Sequence, residues 1–327
     1  MNNIKSLGRT ALISFFCVYI IWGSTYLAIR YAIETLPAFG MTSVRFFIAA
    51  AIMGVIAYFK REALLSKEER KVSIVSGVLL IGANAIVCMV EYWVPSGIVA
   101  VIIGAMPIWI MLLGWASFGQ ARPQILKMLG ALIGLAGVAL IAFDNAPKEI
   151  TGVGRFGILI LISSGVLWAA GTLYQRRIPQ LKSIFRFSTI QMLAGAISTG
   201  LLSLAFEKPW TISPESISLA SMLALVYLIV FGSIIAFTAY SWLSRNVEPH
   251  LVSTYALVNP VIAVLLGRLF FREPVTPLFI SATALVLIGV TLLMTRLNLK
   301  SFFSKFNGVA FSSPVLVKVT EAVRKPT

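Results

Sequence analysis

The chain has 327 residues and a formal net charge of +15; it is 58% hydrophobic, only 12% charged, and its mean hydropathy is +0.92. Soluble domains average about 45–50% apolar and about 25% charged residues, so this composition excludes an ordinary water-soluble globule and fits a chain whose solvent is lipid. The positive charge does not point to nucleic acid, because it sits in short loops and a C-terminal tail rather than on a face interleaved with aromatics.

A membrane-crossing helix needs about 20 mostly apolar residues. The sequence predicts ten, over residues 11–33, 41–59, 72–93, 97–118, 126–143, 156–175, 187–206, 219–243, 251–270 and 278–295. Leu36-Pro37, Val94-Pro95-Ser96-Gly97, Arg122-Pro123, Pro147 and Glu248-Pro249 mark breaks between them. Lys5 and Arg9 precede the first run, as in a signal peptide. That run is long, carries Tyr19, Trp22 and Tyr26 and lacks a small-residue cleavage site, so it reads as a retained span. With the N-terminus inside, 20 Lys and Arg residues fall on inner segments and 5 on outer ones, which places both termini in the cytoplasm.

Two stretches repeat. The segment 95–140 recurs from Pro249 onward: Pro107 matches Pro260, Gly114 matches Gly267, Phe118 matches Phe271 and Gln120 matches Glu273, all 153 residues apart. Trp22 matches Trp168 and Arg30 matches Arg176, both 146 apart. Five spans per half is an odd number, so the second half must enter the membrane opposite to the first, an inverted-topology repeat. The expected architecture is an all-α integral membrane protein of ten transmembrane helices in two inverted five-helix repeats. A cytoplasmic N-terminus (1–10) leads into the first repeat (11–143). An outer linker (144–155), the second repeat (156–295) and a basic cytoplasmic tail (296–327) follow.

The stretches IIWGSTYLAIR (20–30), VRFFIAA (44–50), VPSGIVAV (94–101) with MPIW (106–109), FGSIIAFTAYSWL (231–243) and NPVIAVLLG (259–267) resemble the EamA family of the drug/metabolite transporter superfamily, most closely its YedA-like inner-membrane members. The likeness spans about residues 10–295. Gln120 departs from it, since the first repeat often carries Glu there; the position lies at a loop, so a structural effect is expected. The resemblance implies ten helices around a central cavity, alternating access to small organic molecules, and a bacterial-type inner (plasma) membrane location with many passes. Relatives export amino acids, other metabolites or drugs.

Polar side chains in lipid need a partner or a water-filled cavity, so polar residues stacked at helical spacing are the candidate site. Tyr19, Trp22, Tyr26 and Arg30 share one face of the first span; Ser164, Trp168, Thr172 and Gln175 share the repeat-related face of the sixth. The bland alternative for the first is an interfacial aromatic with a snorkelling arginine. Asn84, Cys88 and Glu91 share a face of the third span, and Glu91 is the one acid expected well within a span. Arg45 or Arg30 could hold it ionised. That cluster is expected either to bind a charged substrate group or to gate the outer mouth, against a purely structural ion pair or shallow snorkelling. Ser233, Phe237, Tyr240 and Ser244 stripe the eighth span. Tyr255 and Asn259 lie one turn apart in the ninth, with Asn259 before Pro260. Pro107 and Pro260 are expected to kink matching helices at a midplane site, with packing irregularity as the plain alternative. Gly130, Gly134 and Gly137 form a small face suited to close internal packing or to a dimer.

Cys17 and Cys88 lie in apolar runs, and His250 is the sole histidine, so neither a disulfide framework nor a metal site is expected. No cofactor is expected and no phosphate loop or GxSxG is present, so the chain reads as a non-enzyme driven by a gradient. The expected function is transport, with export favoured, of a small metabolite such as an amino acid by alternating access. The alternatives are a multidrug exporter and a non-transporting scaffold or lipid-handling protein. The expected partners are a small-molecule substrate and the bilayer. Protons are a candidate coupling ion beside simple facilitated diffusion, and the chain is expected as a monomer or homodimer.

Overall fold

The computed structural model describes residues 8–94, 99, 102–144, 152–178, 181–208, 213–271 and 276–295. The expected basic tail, Glu273, most of the outer linker and the Pro95-Ser96-Gly97 break lie outside the described residues. The helices are α1 (Arg9–Ile33), α2 (Ala38–Phe59), α3 (Lys67–Val90), α4 (Met106–Ser117), α5 (Ile125–Asp144), α6 (Gly152–Gln175), α7 (Ile184–Phe206), α8 (Leu219–Asn246), α9 (Tyr255–Phe271, after a helical turn at Pro249–Val252) and α10 (Pro277–Met294). Among the described residues there is no strand.

Among the described residues, seven segments are long and apolar enough to cross a membrane: α1, α2, α3, α7, α8, Pro249–Leu266 and α10; α4 and the described apolar parts of α5 and α6 are shorter. The outer surface is apolar, with Phe16, Phe47, Phe59, Leu201, Leu223 and Leu287 all more than half exposed. A surface of this kind is stable against hydrocarbon, not water. The fold is therefore an all-α, multi-pass membrane bundle.

Local chemistry moves several boundaries. α3 starts at Lys67, five residues earlier than the apolar pattern predicts. Ser66 accepts from the Glu69 N–H at 3.2 Å, and the Glu69 carboxylate accepts from the Ser66 N–H at 2.7 Å. This capping box draws the charged KEERK segment into the helix. The expected span 97–118 is broken at Ala105. Pro107 takes the first turn of α4, where its missing N–H is no loss, so it starts a helix instead of kinking one. Pro260 does lie inside α9. Residues Leu228–Phe237 of α8 form a ten-residue π-helical stretch, which the sequence pattern does not reveal.

The helices pair across the two halves of the chain. α5 packs on α10 through the glycine face: a Cβ on Gly137 would lie 2.6 Å from the Ala282 carbonyl oxygen, and one on Gly289 would lie 2.6 Å from that of Gly130. The small face is thus used inside the molecule. α2 packs on α7, and their ends hold each other. The Glu207 carboxylate accepts from the N–H groups of Phe39 and Gly40, both at 2.8 Å, at the start of α2. The Glu62 carboxylate accepts from those of Phe185 at 3.3 Å and Arg186 at 2.9 Å, at the start of α7. Pro37 and Ser183, the residues before these helices, supply no side-chain cap, so each helix takes its N-terminal partner from beyond the end of the other. α1 lies against α8 and α9, and α3 against α6 and α7.

Candidate functional site

Where α1, α2, α3, α6, α8 and α9 converge, a cavity holds about 670 Å³ of empty space including its open mouth. Its walls include Trp22, Tyr26, Arg45, Asn84, Trp168, Phe237, Tyr255 and Asn259, all read from the sequence as site residues. Thr25, Ile29, Phe46, Ala83, Val87, Ile103, Met106 and Ser164 complete the lining. Ser164 follows from the face of the sixth span. The apolar members carry no signal that separates them from core.

Aromatic rings form one side. Trp22 meets Trp168 edge-on, with centroids 5.5 Å apart and planes at 78°, and Tyr255 at 5.1 Å and 75°. Tyr240 lies under these rings, 5.0 Å from Trp22 and 5.6 Å from Tyr255. It accepts from Trp168 Nε1 at 2.8 Å and is hydrogen-bonded to Thr172 Oγ1. Tyr240 and Thr172 are fully buried and support the wall from behind rather than lining the cavity. Trp22 Nε1 donates to the Gly232 carbonyl at 3.2 Å, within the π-helical stretch. Asn259, oriented so that its amide nitrogen donates to the carbonyls of Tyr19 at 3.2 Å and Tyr255 at 3.1 Å, holds α9 to α1 just ahead of Pro260.

Arg45 crosses from α2 to α8. Its Nε donates to Ser233 Oγ at 2.7 Å and its guanidinium lies 4.8 Å from the Phe46 ring centroid. It makes no ion pair with Glu91. Glu91 caps the C-terminal end of α3 instead of sitting well within a span; both carboxylate oxygens are buried without a hydrogen-bond partner. Arg30, at the end of α1, likewise makes no ion pair with Glu91. Neither Arg30 nor Glu91 lines the cavity. The Asn84 Oδ1 atom on the lining is likewise buried without a partner.

Gln175 belongs to a separate polar cluster, at the end of the bundle where α6 and α8 finish. Its Nε2 donates to Ser244 Oγ at 2.5 Å, and its Oε1 accepts from Gln191 Nε2 at 3.2 Å and Ser241 Oγ at 3.3 Å. Gln191 also donates to Ser76 at 2.8 Å, and Arg245 Nη1 donates to Ser241 at 3.3 Å. Arg176 closes this end by donating to the Ser244 carbonyl at 3.0 Å and to that of Val247. Burial pulls the Arg176 guanidinium below its ordinary range, and the Glu248 carboxylate opposes that pull. Ser76, Gln191 and Arg245 escape a reading based on stripes within single helices, because the cluster forms only when four helices meet. Among the described residues no group of His, Cys, Asp and Glu could hold a metal ion.

The cavity is walled mainly by aromatic and aliphatic side chains, with Arg45 its one charged member among the described residues. The chain matches the model of the EamA-like transporter family over residues 9–143 and 155–295. It is 36% identical over 279 residues to the uncharacterized inner membrane transporter YedA of Escherichia coli (strain K12), covering 85% of this chain and 88% of that one. It is 25% identical over 299 residues to the uncharacterized transporter YvbV of Bacillus subtilis (strain 168), covering 88% and 92%. A solved crystal structure matches the fold with a TM-score of 0.70 at 21% identity, over 86% of this chain and 95% of that one. The family is one of transporters rather than enzymes, and the chain belongs to it: it is a member of the EamA-like transporter family.

Proposed function

We propose that the protein exports a small amphipathic metabolite, such as an amino acid, across a bacterial inner membrane by alternating access through the aromatic-walled cavity. The observation that carries this reading is that repeat-related tryptophans, Trp22 and Trp168, meet edge to face on the cavity wall. A site at the interface of two repeats is where such carriers bind substrate.

Ten spans in two inverted repeats, 11–143 and 156–295, is the architecture behind it, with both termini cytoplasmic. Swapped contacts support the inversion. Phe39 and Gly40 on Glu207 mirror Phe185 and Arg186 on Glu62, at offsets of 145–146 residues. Gly137 on Ala282 mirrors Gly289 on Gly130, with an offset of 152. In this reading the cavity opens outward and the Gln175–Gln191–Ser241 cluster seals the inner side. Tyr26, Asn84, Trp168, Phe237, Tyr255 and Asn259 contact substrate, and Thr172 and Tyr240 brace them. Arg30 and Glu91 gate the outer mouth, and Pro107 and Pro260 set the helix geometry around it. The protein works as a monomer or homodimer, and protons bound at Glu91 are a candidate coupling ion.

A ligand-stabilisation screen of the purified protein against amino acids, nucleosides and cationic drugs tests the reading, since a ligand that binds only the folded state raises apparent stability by mass action. Amino-acid hits that weaken in Tyr26→Ala and Trp168→Ala are expected. Hits confined to cationic drugs would favour a multidrug exporter, and hits indifferent to both substitutions would remove the cavity from the function.

A further inference from the structure

Arg45 is 3% exposed and lies on the cavity wall. One face of its guanidinium is used: Nε donates to Ser233 Oγ, and Nη2 sits over Gly232, so close that a Cβ there would lie 2.8 Å from it. Nη1 is buried with no hydrogen-bond partner. The described cavity lining contains no acid, and among the described residues Arg45 makes no ion pair. A buried cation without an anion is costly, and the cost falls when an anion enters with matching geometry. The phenyl ring of Phe46 offers only the weaker attraction of its π face.

We infer that Arg45 docks the single carboxylate of the substrate, and that the transported class is a monoanionic or zwitterionic carboxylate with an apolar, ring-sized body. The inference rests on the cavity being the substrate site. One guanidinium on the wall suits one anionic group, since its planar fork matches a carboxylate. Polyphosphates and other multiply charged groups call for several cations, which the lining does not supply. Trp22, Trp168, Tyr255 and Phe237 accept the apolar body. Arg45 is thereby a specificity residue at the site rather than a partner for Glu91, with which it makes no ion pair.

The test uses three molecules of one shape: 3-phenylpropionate, 3-phenylpropionamide and 3-phenylpropylamine. Binding to the purified full chain is read by quenching of tryptophan fluorescence and by thermal stabilisation. The wild type is expected to bind the carboxylate about tenfold or more tighter than the amide, with the amine weakest. Arg45→Gln is expected to erase the preference, and Arg45→Lys to retain a reduced one. If Arg45→Gln does not fold, the wild-type series and the Lys variant still decide. Equal binding of the three, or tightest binding of the amine, overturns the inference. If that binding is nevertheless lost in Trp22→Ala, the cavity remains the substrate site and the carboxylate assignment alone falls. Failure of all three to bind at millimolar concentration removes both.

Discussion

Deleting the Glu207 carboxylate probes the clasp that binds α2 to α7. Its two oxygens accept from Phe39 and Gly40 at 2.8 Å, at a helix start with no local cap. Hydrogen bonds to an ionised acceptor are worth about 1.5–3 kcal/mol each. A negative charge at a helix N-terminus adds about 0.3–1 kcal/mol. The side chain is only partly buried, which places each bond at the low end. Glu207→Ala is therefore expected to cost about 3 kcal/mol, and Glu207→Gln, which keeps one neutral acceptor, about 1–2 kcal/mol. Glu62→Ala is expected to cost about 2 kcal/mol, because one of its bonds is stretched to 3.3 Å. The two ends are separated by the 22 residues of α2, about 33 Å, well beyond the range over which substitutions couple, so the double variant should lose the sum. Equilibrium unfolding in mixed micelles gives the totals. Hydrogen exchange gives the location: the Phe39 and Gly40 amides should exchange about 100-fold faster in Glu207→Ala, with Phe185 and Arg186 unchanged. Unaltered exchange at residues 39–40, or a double variant far from additive, would refute the reciprocal clasp.

Three further outcomes follow from contacts described above. Gly289→Ala places a Cβ 2.5 Å from the Gly134 nitrogen, a backbone atom that cannot rotate away, and is expected to destabilise the protein by about 1–3 kcal/mol in thermal unfolding. Trp168→Ala removes the edge contact with Trp22 and the bond to Tyr240; titration should show a cavity ligand weakened by about tenfold or more while unfolding stays cooperative. Arg176→Gln frees the carbonyls of Ser244 and Val247 and is expected to speed hydrogen exchange across residues 243–248 without affecting residues 282–289; no change there would deny Arg176 its role in closing that end.

Much of this molecule is legible from its sequence because lipid leaves few options. Long apolar runs fix most helices, and the spacing of Trp22 and Tyr26, and of Trp168 and Thr172, puts those residues on inward faces. What escapes depends on more than one segment. The charged stretch 67–71 looks like loop until Ser66 and Glu69 cap each other. Pro107 looks like a kink, but the break at Ala105 turns it into a helix start. Arg45 and Glu91 look like partners by charge and depth; the π-helical stretch offers Ser233 to Arg45 instead, and Glu91 caps the end of α3. Glu62 and Glu207 look like loop charges, since nothing local shows that each points at the start of a helix in the other half.

α8 works as an interlock. Gly232 and Ser233, on its widened turns, are fastened to Trp22 and Arg45 at the cavity, while Ser241 and Ser244, two to three turns further along, are fastened to Gln175 and Gln191 at the far end. A stiff rod turned about its axis cannot release one set of latches without straining the other. If the proposed alternating access holds, the two doors share a single bolt: a ligand that alters the bonds at Trp22 and Arg45 strains those at Gln175 and Gln191 through the helix itself, with no chain of intermediaries.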